Sequence, residues 1–145
     1  MLSKNQARIF FLSGTILFSA IFLALSYDSI MSEVPKLTKE ENMNEAVIRG
    51  KHIFDENNCM GCHTILGEGA YYAPELTKVY DRRGPVWIKV FMKDPQAMYP
   101  GQRKMIQYDF TDEEIEDLTE FFKWIGEMDL QGFPPKPKYN QVSSN

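Results

Sequence analysis

Cysteine, histidine and tryptophan are the scarcest residues of this 145-residue chain, with two of each. A structural zinc site would run short of soft ligands, because outside one short stretch only His52 is left. Acidic residues are missing from the first 27 positions, whose only charges are Lys4 and Arg8. All 20 acidic residues therefore lie from Asp28 onward, against 14 basic ones, a net of −6 for that part. A long run of lysine or arginine is lacking too. This balance argues against nucleic acid as a partner. It fits an acidic face for a basic protein partner as well as it fits an ordinary solubilising surface.

Both cysteines and the other histidine stand together as Cys59-Met60-Gly61-Cys62-His63. Cys-x-x-Cys-His is the spacing of c-type haem attachment, in which both thiols add to the haem vinyl groups and the adjacent imidazole becomes the proximal iron ligand. A redox dithiol also uses Cys-x-x-Cys, but no βαβ pattern surrounds this one and His63 would have no role in it. His52, seven residues before Cys59, reads as a surface histidine rather than a ligand. Electron transfer, as opposed to substrate binding, calls for a sixth iron ligand, and a methionine there raises the potential. Met92, Met98 and Met105 are the candidates. Met105 is favoured, since it lies in an irregular stretch six residues before the last helix and a thioether can be presented from there. Met92 falls within a helical pattern and reads as core, and Met98 has less obvious anchoring before Tyr99-Pro100. Core filling competes as a role for any of the three.

Residues 9–27 (IFFLSGTILFSAIFLALSY) carry no charge. Nineteen residues span about 28 Å as a helix, close to the thickness of a bilayer's hydrocarbon core. Ala24-Leu25-Ser26 resembles a weak cleavage site, but the apolar run exceeds that of a signal peptide. The expectation is an uncleaved single-pass anchor. Lys4 and Arg8 before the span, against Asp28 and Glu33 beyond it, place residues 1–8 in the cytoplasm. The remainder then lies outside, in the periplasm of a Gram-negative cell.

Residues 28–42 read as a polar connector with Pro35. Helical spacing resumes from Met43, with Ala46, Val47, Gly50 and Phe54 on one face and Asn42 or Asn44 available as a cap. Glycine at position 50 suits a close helix crossing. After His63, Gly67, Gly69 and Pro74 predict a loop, whose Tyr71-Tyr72 pair either covers a haem or serves an interface. Leu76 to Tyr80 begins a short helix closed by Arg82-Arg83-Gly84-Pro85, the two arginines being candidates for haem propionates or plain surface residues. Val86 to Met92 forms a second helix ended at Asp94-Pro95, and residues 95–110 read as irregular. Thr111-Asp112-Glu113-Glu114 is a capping box. It opens a helix with Ile115, Leu118, Phe121, Phe122 and Ile125 on its apolar face and Gly126 at its end. The obvious partner for that face is the Ala46/Gly50/Phe54 face. The segment 131–145 has too much proline for a core element.

Helix, CMGCH, Gly/Pro-rich loop, Met105 and a final aromatic-rich helix together resemble an all-α class I cytochrome c domain, over residues 43–130. The likeness extends further. The single amino-terminal anchor, CHTILGEGAYYAPEL (62–76), Arg82-Arg83-Gly84, PGQRKM (100–105) and EFFKWIGEMDLQGFPP (120–135) are similar to the cytochrome c subunit of bacterial nitric oxide reductase. That resemblance implies a mono-haem c protein with iron held by His63 and Met105 and no catalytic residue of its own. Its donor would be a soluble periplasmic cytochrome c or cupredoxin. Its acceptor would be the haem b of a large membrane subunit, which feeds a haem b3/non-haem iron centre where two NO, two electrons and two protons give N2O and water. It also implies a calcium ion at the subunit interface, met by Tyr71 through a backbone oxygen with Gly69 nearby. An anchored electron carrier for another terminal oxidase, or a periplasmic haem sensor with an exchangeable sixth ligand, would use the same haem chemistry.

Overall fold

The computed structural model describes residues 3–102 and 105–135. Arg103-Lys104, inside the PGQRKM motif, and residues 136–145 of the proline-rich segment lie outside the described residues. The chain divides into two units, Met1–Leu37 and Thr38–Asn145.

The first unit is dominated by helix α1 (Lys4–Asp28), opened by a capping box in which Ser3 Oγ accepts from Gln6 N–H and Gln6 Oε1 accepts from Ser3 N–H. No residue of α1 is buried, and Phe10, Phe11, Phe18 and Phe22 all stand exposed. A helix apolar all round is suited to lipid or to another membrane helix. It is long and apolar enough to cross a membrane. The stretch expected to be a polar connector continues the helix, through a widened π turn (Ser29–Glu33) into α2 (Val34–Thr38). Pro35 lacks the N–H that an α-helix would use. The turn before it relaxes so that Val34 N–H reaches Ser29 O, five residues back. Lys39 then turns left-handed (φ 53°) and a 3-10 turn (Glu40–Asn42) follows.

In the second unit α3 (Glu45–Glu56) starts at Asn44, whose Oδ1 accepts from Val47 N–H at 3.0 Å. Asn44 rather than Asn42 is therefore the cap. Cys59–Gly61 form a 3-10 turn. The segment expected to be a plain loop instead opens with an antiparallel hairpin of β1 (Thr64–Ile65) and β2 (Glu68–Gly69), pairing Thr64 with Gly69. Its two-residue turn has positive φ at both Leu66 (53°) and Gly67 (86°), the twist that closes tight hairpins. Helix α4 (Val79–Lys93) begins later than expected and is broken at Gly84 (φ 77°), which with Pro85 divides it into the two pieces the sequence suggested. The stretch 95–110 is not irregular throughout. Asp94 Oδ1 accepts from Ala97 N–H and Pro95 occupies the first turn, so a short helix α5 (Pro95–Met98) forms. Helix α6 (Asp112–Glu127) has the predicted capping box, Thr111 Oγ1 accepting from Glu114 N–H and Glu114 Oε2 from Thr111 N–H.

Helices α3 and α6 form the centre of the core, with Val47 and Phe54 against Ile115, Leu118, Phe121, Phe122 and Ile125, and Ile88 and Met92 of α4 joining them. Phe54 lies 5.4 Å from Phe121 and 6.0 Å from Phe122, ring to ring. Gly50 permits the approach, since a Cβ there would sit 2.1 Å from the Asp117 carbonyl oxygen. Beside this crossing Arg49 holds the buried Asp117 carboxylate with two bonds, 2.7 and 2.8 Å, and that carboxylate raises the pKa of the guanidinium. Gly126 stands one residue before the end of α6, Glu127. It is buried within the helix near Thr77 and Asp81, and the last carbonyls are met by Lys78 Nζ, which donates to Gly126 O and Met128 O. Trp124 Nε1–H donates to Lys39 O and Asn42 Nδ2 to Glu127, tying the entering segment onto α6.

Candidate haem-binding site

The 3-10 turn after α3 presents Cys59, Cys62 and His63 together. Cys59 is half-buried and packs on the core, while Cys62 is exposed. Burial, with the neighbouring Asp55 and Cys62 charges adding to it, pushes the Cys59 thiol up to about 11. A thiol raised in this way is a poor attacking thiolate. Among the described residues no three His, Cys, Asp or Glu side chains converge, as a zinc centre would require.

The position of His63 is the informative one. Its Nδ1 lies 2.7 Å from the carbonyl oxygen of Pro74. A carbonyl only accepts, so Nδ1 carries the proton and the lone pair of the neutral ring is on Nε2. A metal-ligating histidine is oriented in this way, with the other nitrogen donating to a backbone carbonyl. The carbonyl is held in turn. Ala73 N–H donates to Cys62 O and Leu76 N–H to Thr64 O, both at 2.8 Å, while Ala70 N–H reaches Met60 O and His63 O. Gly69 completes the fit: at φ 111° and with His63 O only 2.3 Å from where a Cβ would sit, no other residue is accommodated.

Met105 is half-buried against the same core as Cys59, Met60, Leu76, Tyr80 and Phe110, and Gln96 Nε2 donates to its carbonyl at 3.1 Å. Gln107 Nε2 likewise donates to Lys93 O at the end of α4. Three residues beyond Met105, the Tyr108 phenol has its pKa raised, first by burial and then by the nearby Cys59 and Cys62 thiols. Met92, by contrast, is buried among Ile88 and the α6 side chains, as expected of core. His52 is exposed on α3. Two thiols for thioether attachment, an imidazole with Nε2 available, and a thioether presented from a tethered loop form a donor set that fits haem c.

Tyr71 and Tyr72 project from the hairpin's end, 88 % and 59 % exposed. The arginines considered for propionates have other contacts. Arg82 donates to Glu75 O and pairs with its carboxylate at 3.5 Å. Arg83 stacks over Trp87 at 4.8 Å. Sequence reasoning missed the role of Pro74, which it used only as a helix breaker, and missed Glu75 and Thr77 altogether. Their signal was the run Ala73-Pro74-Glu75-Leu76-Thr77, where a proline follows the histidine at a loop's length.

Residues 47–126 match the family model for cytochrome c. Over 138 residues the chain is 39 % identical to the C subunit of nitric oxide reductase from Stutzerimonas stutzeri, covering 92 % of this chain and 94 % of that protein. The chain belongs to the family of nitric oxide reductase C subunits. The corresponding protein of Halomonas halodenitrificans is 40 % identical over 148 residues, covering 94 % and 96 %, and that of Paracoccus denitrificans 38 % over 143, covering 93 % and 95 %. Membership makes this chain a haem c electron-transfer subunit of an enzyme complex, with a cytochrome c domain behind an apolar amino-terminal helix.

Proposed function

We propose that this chain takes single electrons from a soluble periplasmic cytochrome c or cupredoxin and passes them to the haem b of a large catalytic subunit, which reduces two NO to N2O and water. The observation that carries the reading is the His63 Nδ1–Pro74 O bond beside Cys59 and Cys62, joined to family membership. Bound haem c supplies one-electron redox chemistry at iron, tuned by its axial ligands and surroundings. Cys59 and Cys62 would hold the group covalently, and His63 through Nε2 and Met105 through its thioether would hold its iron. Held by both residues, the iron would have no open position for substrate, and the chain would act as a carrier. Met105→Ala should abolish the far-red methionine–iron charge-transfer band of the oxidised protein and lower its potential, with haem still attached. A band surviving the substitution would reject Met105.

Residues 9–27 form the anchor in the inner membrane, with 1–8 cytoplasmic, 28–42 connecting and 43–130 forming the periplasmic domain. Lys4 and Arg8 support that orientation. The exposed Tyr71-Tyr72 pair supports docking of the 67–76 loop on the catalytic subunit. Replacing both tyrosines should leave the isolated haem spectrum intact and weaken association with the partner or slow its reduction. Unchanged assembly and unchanged transfer would reject that interface. An interface calcium would take the carbonyl of Tyr71, with Gly69 nearby, together with oxygen ligands from the partner. Chelation of the assembled complex, followed by metal analysis and subunit stoichiometry, tests this contact.

A further inference from the structure

The orientation of the His63 ring depends on a carbonyl that has no side chain of its own to steady it. The ring of Pro74 locks its φ, but the peptide plane carrying the carbonyl can still turn about the bonds on either side. Its outer flanks are tied, Ala73 N–H to Cys62 O and Leu76 N–H to Thr64 O. Glu75 is the residue left between them. Its Oε1 accepts from Thr77 N–H at 2.7 Å, and the hydroxyl of the fully buried Thr77 accepts from Leu66 N–H in the hairpin turn, also at 2.7 Å. Its Oε2 is shut away from solvent with no hydrogen-bond donor among the described residues, and the Arg82 Nη1 3.5 Å away is its counter-charge. The same guanidinium donates through Nη2 to the Glu75 carbonyl. Arg82 thus grips both the backbone and the side chain of the residue that follows Pro74.

We propose that Arg82, acting through Glu75, is a positioning residue for the proximal ligand: it fixes the Pro74 carbonyl and so sets the strength of the His63 Nδ1–H···O bond. The inference rests on His63 ligating iron and deepens that reading. A stronger bond from Nδ1–H makes the ring a better electron donor and favours the oxidised iron. Loosening the grip weakens the bond and raises the potential. This direction separates positioning from simple electrostatics, because deleting a nearby positive charge would lower the potential instead.

The test uses the full-length, haem-loaded chain in detergent, comparing wild type with Arg82→Lys, Arg82→Gln and Glu75→Gln. Circular dichroism and the covalent haem spectrum establish that each variant is folded. Two quantities are measured: the potential, and the solvent exchange of the His63 Nδ1 proton by NMR of the oxidised protein, where iron displaces the signals of a ligating ring. The expected result is exchange about tenfold faster in all three variants, the factor for losing one net hydrogen bond. The potential should be raised in all three, Arg82→Lys included, since lysine keeps the charge but cannot straddle Glu75. An unchanged Arg82→Lys with a lowered potential in Arg82→Gln would reduce Arg82 to a charge and overturn the proposal. Unchanged exchange in every variant would overturn it as well. If wild type shows no iron-shifted His63 ring, the ligation reading itself has failed, and the proposal falls with it.

Discussion

Replacing Gly50 with alanine sets helix propensity against packing, and the two disagree in sign. In a helix interior alanine is favoured over glycine by about 1 kcal/mol. At this crossing, however, the new Cβ would lie 2.1 Å from the Asp117 carbonyl oxygen, 2.6 Å from the carbonyl carbon and 2.8 Å from Phe121 Cβ. The first two atoms are backbone of α6, so no rotamer change relieves them. Ordinary contact begins near 3.4 Å, so α3 and α6 must part by about 1.3 Å. A radial gap approaching that size forfeits roughly a quarter to a half of the dispersion energy between facing atoms, here Val47 and Phe54 against Leu118, Phe121 and Phe122. Overpacking costs about 1–3 kcal/mol, and a clash with backbone belongs at the top of that range. After the propensity gain, the net loss is about 2 kcal/mol. For a domain of this size that lowers Tm by roughly 8–16 °C. Thermal melting of the haem-loaded chain, followed by the loss of domain helix signal, measures it. A Tm that is unchanged or higher in Gly50→Ala would show that propensity wins and that the helices do not cross there.

Three other outcomes follow from the same structure. Thr111→Ala removes the cap of α6 and should cost about 1 kcal/mol in denaturant unfolding. Bonds from the Thr111 backbone and hydroxyl hold the Glu114 pKa below its ordinary value. Glu114 therefore contributes stability above its unfolded pKa and loses it as the pH falls through the depressed folded value. The acid-side decline in Tm should accordingly be shallower in Glu114→Gln than in wild type, which a pH series of melts would show. Lys78→Met removes the donor to Gly126 O and Met128 O and should destabilise the domain by about 1–2 kcal/mol, again read by denaturant unfolding.

The helices were legible in the sequence for physical reasons that are local. The Thr111–Glu114 box and the spacing of Ile115, Leu118, Phe121, Phe122 and Ile125 need only helical periodicity, and all five side chains are buried as expected. Gly50 pointed to a crossing because a mid-helix glycine is costly without one. What escaped was set by tertiary context. The turn at Leu66-Gly67 puts a leucine at positive φ, against its preference, so no turn signal marked the hairpin. Gly126 marked the end of α6 to within one residue, but not that Lys78, 48 residues earlier, meets the carbonyls there. Arg82 suggested a haem propionate because its actual contact, Glu75, is visible only once α4 is folded back on the loop, whereas Arg83 lies over Trp87, four residues on in the same helix. The carbonyl of Pro74 has no side-chain signature at all.

If electrons reach the catalytic subunit through this chain, haem c must be emptied whenever nitric oxide is consumed. Rapid mixing of the fully reduced complex with nitric oxide, following the haem c absorption band, observes that step itself. Haem c should be oxidised within the first turnovers, and more slowly in the variant lacking Tyr71 and Tyr72. A haem c that stays reduced while the complex repeatedly consumes nitric oxide would contradict transfer through this chain.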